Sequence, residues 1–179
     1  MDALVSHGLL QGSENGMEPG RQVTRAEAAV MALALCGVQP EPDIPAFTDI
    51  EGHWSSDAIT YAYRQDYFFL LWKLKDVFEP ERKVGGEELG WLLLRVMGYG
   101  GWRQNAETAR PVKYRQIRQL LSQVWRFSRK EACKIYYTVL TSLTADEKSL
   151  YKQLCEKGIL EEAVCGKLLG ISDKIFGDC

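Results

Sequence analysis

Apolar positions recur at helical spacing in several stretches of the chain, and three of those stretches open with variants of one short polar phrase. Residues 23–37 read Val-Thr-Arg-Ala-Glu and then run apolar to Cys36 and Gly37. Val84-Gly85-Gly86-Glu87-Glu88 leads into Trp91-Leu92-Leu93-Leu94 and ends at Met97-Gly98. Phe127-Ser128-Arg129-Lys130-Glu131-Ala132 opens the third. Val30, Leu33, Ala34 and Gly37 form the apolar stripe predicted for the first helix. A further helix is predicted over residues 53–63, with Trp54, Ala58, Tyr61 and Ala62 on one face. Helices are also expected over 113–124, 128–141 and, as one or two pieces around Gly158, 148–169. No stretch alternates convincingly as a strand, so the predicted class is all-α.

The recurrence has a measurable register. Met17, Glu18 and Pro19 align with Phe78, Glu79 and Pro80; Thr24 aligns with Gly85; Gly37 aligns with Gly98. Every pair is separated by 61 residues. Such self-similarity marks a repeat architecture, and repeat arrays more often bind than catalyse. Thr24 and Glu27 are spaced as a capping box, as are Ser128 and Glu131: the hydroxyl accepts from an orphan helix N–H and the carboxylate accepts from the cap residue's own N–H. Gly85 stands at the cap position of the middle copy with Glu88 at the third helical position. Gly37 and Gly98 are placed to stop their helices in the left-handed conformation. The turn before the first phrase, residues 12–20, is rich in glycine, whereas residues 73–80 are not. The middle copy's turn is therefore expected to follow another path.

Each unit reads as helix, turn, helix. A proline-rich connector, residues 38–45, separates the first unit from Phe47-Thr48-Asp49-Ile50, which opens the next. The chain divides into a partial first repeat over 1–38, a second over 46–100, and a degenerate third with C-terminal helices over 101–179. The first unit's opening helix is represented only by residues 2–8. The expectation is a fragment, or a chain that borrows the missing helix. The segment from Leu150 to Leu160 is the candidate, because Lys157-Gly158-Ile159-Leu160 resembles His7-Gly8-Leu9-Leu10.

Composition narrows the function. With 179 residues, 46% hydrophobic and 26% charged, the chain fits one globular domain or a short array. A net charge of −2 and a pI near 5.8 leave no electrostatic footprint for nucleic acid. Basic residues between Arg110 and Lys134 make either a solvated helix face or an anion-binding surface. The five cysteines, Cys36, Cys133, Cys155, Cys165 and Cys179, contain no CxxC pair, so neither a disulfide framework nor a metal site is expected. No apolar run reaches membrane-spanning length, and residues 1–7 have no signal-peptide pattern. His7 and His53 lack the partners of a catalytic constellation, and no phosphate loop or nucleophile elbow occurs. Glu87-Glu88 and Glu161-Glu162 are adjacent pairs that do not converge on one helix face. No enzyme activity and no cofactor are expected.

Together these motifs resemble the S-layer homology family. Phe47-Thr48-Asp49-Ile50 with His53-Trp54 is similar to the opening of that family's repeat. Gly8-Leu9-Leu10-Gln11-Gly12 and Asn15-Gly16-Met17-Glu18-Pro19 resemble its middle, and Val23-Thr24-Arg25-Ala26-Glu27-Ala28 its signature end. Phe127 to Ala132, with Tyr136, Tyr137 and Leu140, resembles a divergent last repeat. The resemblance covers most of residues 4–141. It implies three repeats packed with approximate threefold symmetry, in a module that holds an exported protein non-covalently on a Gram-positive cell wall. It further implies a location at the cell surface, a pyruvylated secondary cell-wall polysaccharide as the partner, and a cargo domain outside this chain.

The candidate ligand residues follow from that resemblance and from one electrostatic anomaly. Arg25 and Arg129 each begin a helix, where a cation opposes the macrodipole by about 0.3–1 kcal/mol. An anionic ligand at the helix start would offset that cost, as would an inter-repeat salt bridge, for example from Arg25 to Asp49 or Glu51. Thr24 and Glu27 frame the same turn. Asn15 and Gly16 either hold the preceding turn or offer backbone to the ligand. Asp49 either caps the following helix or contacts ligand. Trp54 offers a flat face to a sugar ring, although burial between helices is favoured for so large a side chain. In the middle copy the arginine is replaced by Gly86, so that site is expected to be silent. Arg25→Ala is expected to weaken binding more than tenfold without changing helicity. The competing readings are a helical interaction scaffold whose sugar sites have decayed and, on the missing signal sequence alone, an intracellular helical domain.

Overall fold

The computed structural model describes residues 18–68, 76–98, 128–140, 149–158 and 160. Among them the fold is all-α: α1 (Arg25–Cys36), a 3-10 turn (Thr48–Ile50), α2 (Ser56–Arg64), α3 (Gly86–Val96), α4 (Arg129–Leu140) and α5 (Leu150–Glu156). Isolated bridges join Gln22 to Ser128 and Thr24 to Lys83, and no sheet forms among the described residues. The expected opening helix over 2–8, the helix over 113–124 and the tail over 161–169 lie outside the described residues.

The caps form where the sequence places them. Thr24 Oγ1 accepts from Glu27 N at 3.2 Å while Glu27 Oε2 accepts from Thr24 N at 2.9 Å. Ser128 and Glu131 repeat the pair, at 3.3 Å and 2.8 Å. Gly85 has no hydroxyl, but Glu88 Oε2 still accepts from its N–H at 2.8 Å. At the other end Gly37 adopts φ 63°, and the Val38 N–H reaches back to Leu33 O at 3.0 Å, a Schellman closure. Gly98, 61 residues on, adopts φ 81°.

Packing makes α1 central. Ala26, Ala28, Ala29, Met31, Ala32, Leu33 and Leu35 are all buried, a wider face than a single stripe. Val30 and Ala34, expected in that stripe, are only partly buried. Helix α1 lies against α2, α3 and α5, and α5 also meets α4. The small alanines let these neighbours approach on several sides.

Two corrections concern the second unit. Helix α2 begins at Ser56 rather than at 53, because Gly52 (φ 70°) and the His53 N–H to Ile50 O bond fold residues 50–53 into a turn. Trp54 therefore precedes the helix and is 58% exposed, while Ala58, Ile59, Thr60 and Ala62 form the buried face. The middle copy's turn does not diverge over its described part. Glu18 and Glu79 both have positive φ (37° and 59°), and Arg21 N and Arg82 N return to their carbonyls at 2.9 and 3.0 Å.

Helix α5 ends as α2 does. Gln65 N bonds Tyr61 O and Asp66 N bonds Tyr63 O; Lys157 N bonds Gln153 O and Gly158 N bonds Cys155 O. Asp66 and Gly158 share positive φ, and Phe68 and Leu160 are both buried just beyond. Asp66 pairs with Arg95 near the end of α3, and Lys157 Nζ donates to Cys36 O at the end of α1. So the end of α5 meets the end of α1, and the end of α2 meets the end of α3.

Cys36 and Tyr67 meet beside this contact, and burial pushes the thiol up to about 11 and the phenol up to about 12. Both groups stay neutral in the fold at pH values where the unfolded thiol already ionises. The stability this represents is complete below the unfolded thiol's value of 9.0 and is lost as pH climbs through 11. Two pH units correspond to about 3 kcal/mol. Urea midpoints taken between pH 8 and 11 should fall, and the fall should be visibly shallower in Cys36→Ala.

Candidate functional site

The three phrase-bearing segments meet at their helix starts. The first two N–H groups of α1 donate across to the second repeat: Arg25 N to Arg82 O at 2.8 Å and Ala26 N to Pro80 O at 3.0 Å. The first two N–H groups of α4 donate to the first repeat in the same way: Arg129 N to Arg21 O at 2.9 Å and Lys130 N to Pro19 O at 3.1 Å. Pro19 and Arg21 are the 61-residue counterparts of Pro80 and Arg82. Orphan helix donors, commonly met by water or a cap side chain, are here met by a neighbouring repeat.

Side chains repeat the pattern. Arg25 is 4% exposed. Its Nη1 donates to Phe78 O at 2.8 Å and to Glu79 Oε2 at 3.0 Å, and its Nη2 to Glu88 Oε1 at 2.9 Å. Arg129, also 4% exposed, reaches Glu27 Oε1 at 3.2 Å. Glu88 is Glu27's counterpart, so each signature arginine enters the capping-box glutamate of another copy. The dipole-opposing cations thus have carboxylate partners within the fold. The ion pair is inter-repeat, but its partners are Glu79 and Glu88 rather than Asp49 or Glu51.

Glu27 does three things at once: it closes its own cap and receives both Arg129 and Arg21. The hydrogen bond from Arg21 to Glu27 holds that guanidinium above its usual range. Arg21 also pairs with Glu18 at 3.2 Å, and Arg82 with Glu79 at 3.1 Å, the same pair 61 residues later.

Asp49 neither caps α2 nor meets Arg25. Its carboxylate accepts from Phe78 N at 2.8 Å and Glu79 N at 2.7 Å. It thereby braces the loop whose carbonyl and glutamate take Arg25. Phe47, two residues earlier, packs its ring 5.4 Å from that of Phe78. The Phe-Thr-Asp opening is therefore a loop brace.

Around this buried junction lies an exposed edge. His53 sits between Ser55 Oγ (2.8 Å) and Glu81 Oε1 (3.1 Å), with its ring 5.6 Å from Trp54. Glu81, Arg82 and Lys83 follow, all exposed. An aromatic face and two cations thus border one turn. Asn15 and Gly16 lie outside the described residues. Among the described residues no cluster of His, Cys, Asp and Glu could hold a metal, and no helix is long and apolar enough to cross a membrane.

Residues 1–29 match the S-layer homology domain family. The S-layer protein sap of Bacillus anthracis is 31% identical over 95 residues, covering 52% of this chain and 11% of that protein. An S-layer protein of Bacillus thuringiensis subsp. finitimus is similar to the same extent. The likeness to the S-layer homology domain thus falls on the first repeat of this chain. The chain spans about a tenth of the length of these curated relatives. Within the S-layer homology match lies the phrase from Thr24 to Glu27, which holds both the cap and the buried arginine.

Sequence reading of this chain missed Glu79, Arg21, Arg82 and the Phe78 carbonyl. A signal for them was present, since Glu18-Pro19 with Arg21 recurs as Glu79-Pro80 with Arg82 at the 61-residue offset. Those positions read as turn residues, and only the fold shows that the turn of one copy meets the helix start of another.

Proposed function

We propose that this chain is a wall-anchoring module, binding an anionic secondary cell-wall polysaccharide non-covalently and holding a cargo domain at the surface of a Gram-positive bacterium. The S-layer homology match beside two S-layer proteins carries this reading. The ligand surface we assign is the edge beside the first junction. Trp54 offers a sugar ring its exposed face, and Arg82 and Lys83 offer charge to a carboxylate such as a pyruvyl ketal. Thr24, Arg25, Glu27, Asp49 and Arg129 enter as residues that hold the junction in shape, with Asn15 and Gly16 as further candidates on the preceding turn.

Purified chain should pellet with isolated walls and remain in solution once the wall polysaccharide is removed. Equal pelleting with stripped walls, or none with intact walls, sinks the proposal. Trp54→Ala should weaken pelleting by roughly tenfold, about 1.4 kcal/mol, with the thermal midpoint nearly unchanged because the side chain is exposed.

A second reading is a structural or protein-interaction scaffold of the same fold with decayed sugar sites. The burial of Arg25 and Arg129 in internal ion pairs favours it. It gains if Arg25→Ala lowers stability while intact walls capture neither protein.

A further inference from the structure

The exposed edge lies beside the Arg25 latch, the ion pairs by which that arginine fastens the first repeat to the second. It is split between two turns. Residues 50–55 carry Trp54, and residues 79–83 carry Arg82 and Lys83. His53 joins them. Its Nε2 lies 3.1 Å from Glu81 Oε1, 28 residues away. Its Nδ1 accepts from the Ser55 N–H at 3.3 Å and lies 2.8 Å from Ser55 Oγ. A ring nitrogen that accepts leaves the proton on the other, so Nε2 donates to the Glu81 carboxylate. The imidazole is thus held from both sides. Its ring stands 5.6 Å from that of Trp54, within the range of an aromatic pair.

Two features set this arrangement apart from a simple closed turn. Ser55 is the N-cap of α2, where a serine ordinarily accepts from a helix N–H. Its hydroxyl makes no cap bond and is turned to His53 instead. The second feature is exposure. The His53 side chain is 18% exposed, against 70% for Glu81 and 58% for Trp54. With both nitrogens engaged inside the protein, the imidazole supports the edge rather than meeting a ligand itself.

We infer that His53 is a positioning residue, which holds the Trp54 ring at a fixed distance from Arg82 and Lys83. That distance selects a ligand whose sugar ring and carboxylate match the gap between aromatic face and cations. The inference rests on the edge being the ligand surface, as proposed above.

The indole N–H of Trp54 can be identified in a nitrogen-15 spectrum by its loss in Trp54→Phe. Its order parameter should be high in the parent and fall below roughly 0.6 in His53→Ala. His53→Gln keeps an N–H donor at about the reach of Nε2 and should restore it; the shorter His53→Asn should not. Pelleting with intact walls should weaken roughly fivefold in His53→Ala, the worth of about one hydrogen bond. That loss should disappear when Trp54 is already alanine, because the histidine acts through the tryptophan. Unchanged pelleting in Trp54→Ala overturns the edge as the ligand surface and this inference with it. A loss in Trp54→Ala with none in His53→Ala overturns this inference alone. So does an indole equally mobile with and without His53, or a further loss from His53→Ala on top of Trp54→Ala.

Discussion

Arg25→Ala is expected to destabilise the fold by about 3–5 kcal/mol, the cost of leaving buried charges without their partner. The guanidinium serves three acceptors from another repeat, Phe78 O, Glu79 and Glu88. Glu79 is 40% exposed and regains water when the arginine goes, which places the loss toward the lower end. Glu88 is more buried and keeps the bond from Gly85 N. A fall in thermal midpoint of roughly 10 °C follows for a chain of this size. Arg25→Lys should recover little, because an ammonium cannot reproduce the fork that spans two carboxylates and a carbonyl. This alters what the phrase alone suggested. A loss of wall binding in Arg25→Ala would come with a loss of stability, so binding must be compared well below the midpoint of the variant. A midpoint within about 1 °C of the parent would show that the latch is not holding the repeats together.

What the sequence could express was local. A capping box needs two residues three apart, so Thr24 with Glu27 and Ser128 with Glu131 were readable, as were the stopping glycines Gly37 and Gly98. The repeat offset was readable for the same reason, since it compares the chain with itself. Trp54 was misplaced because periodicity extended α2 through a turn, and a single glycine at φ 70° took the tryptophan off the helix and out of the core. The partners of Arg25 were hidden by distance, lying 53 to 63 residues away. The dipole argument correctly required an anion near Arg25. It could not say whether that anion came from a ligand or from another copy of the same phrase. The capping glutamate was already assigned a local job, and nothing in one copy shows that its second oxygen serves a neighbour.

The loop that receives Arg25 is built around Phe78, and Phe78→Ala should cost about 3–5 kcal/mol. The side chain is fully buried, with rings of Phe47 and Phe68 at 5.4 and 5.0 Å. Its backbone is fixed at both ends: Asp49 takes the N–H, and the carbonyl takes Arg25. Removing the ring leaves a cavity under the same peptide that orients the latch. The two changes should therefore overlap. Arg25→Ala combined with Phe78→Ala should cost less than the sum of the single changes by more than about 0.5 kcal/mol, the limit within which independent sites add. Asp49→Asn should produce a smaller loss of the same kind, because it weakens two hydrogen bonds without emptying the core. Urea denaturation of the four variants decides it. If the arginine and phenylalanine losses add within that limit, the loop holds Phe78 and Arg25 independently. In that case Asp49, Phe78 and Arg25 do not act as one unit in fastening repeat to repeat.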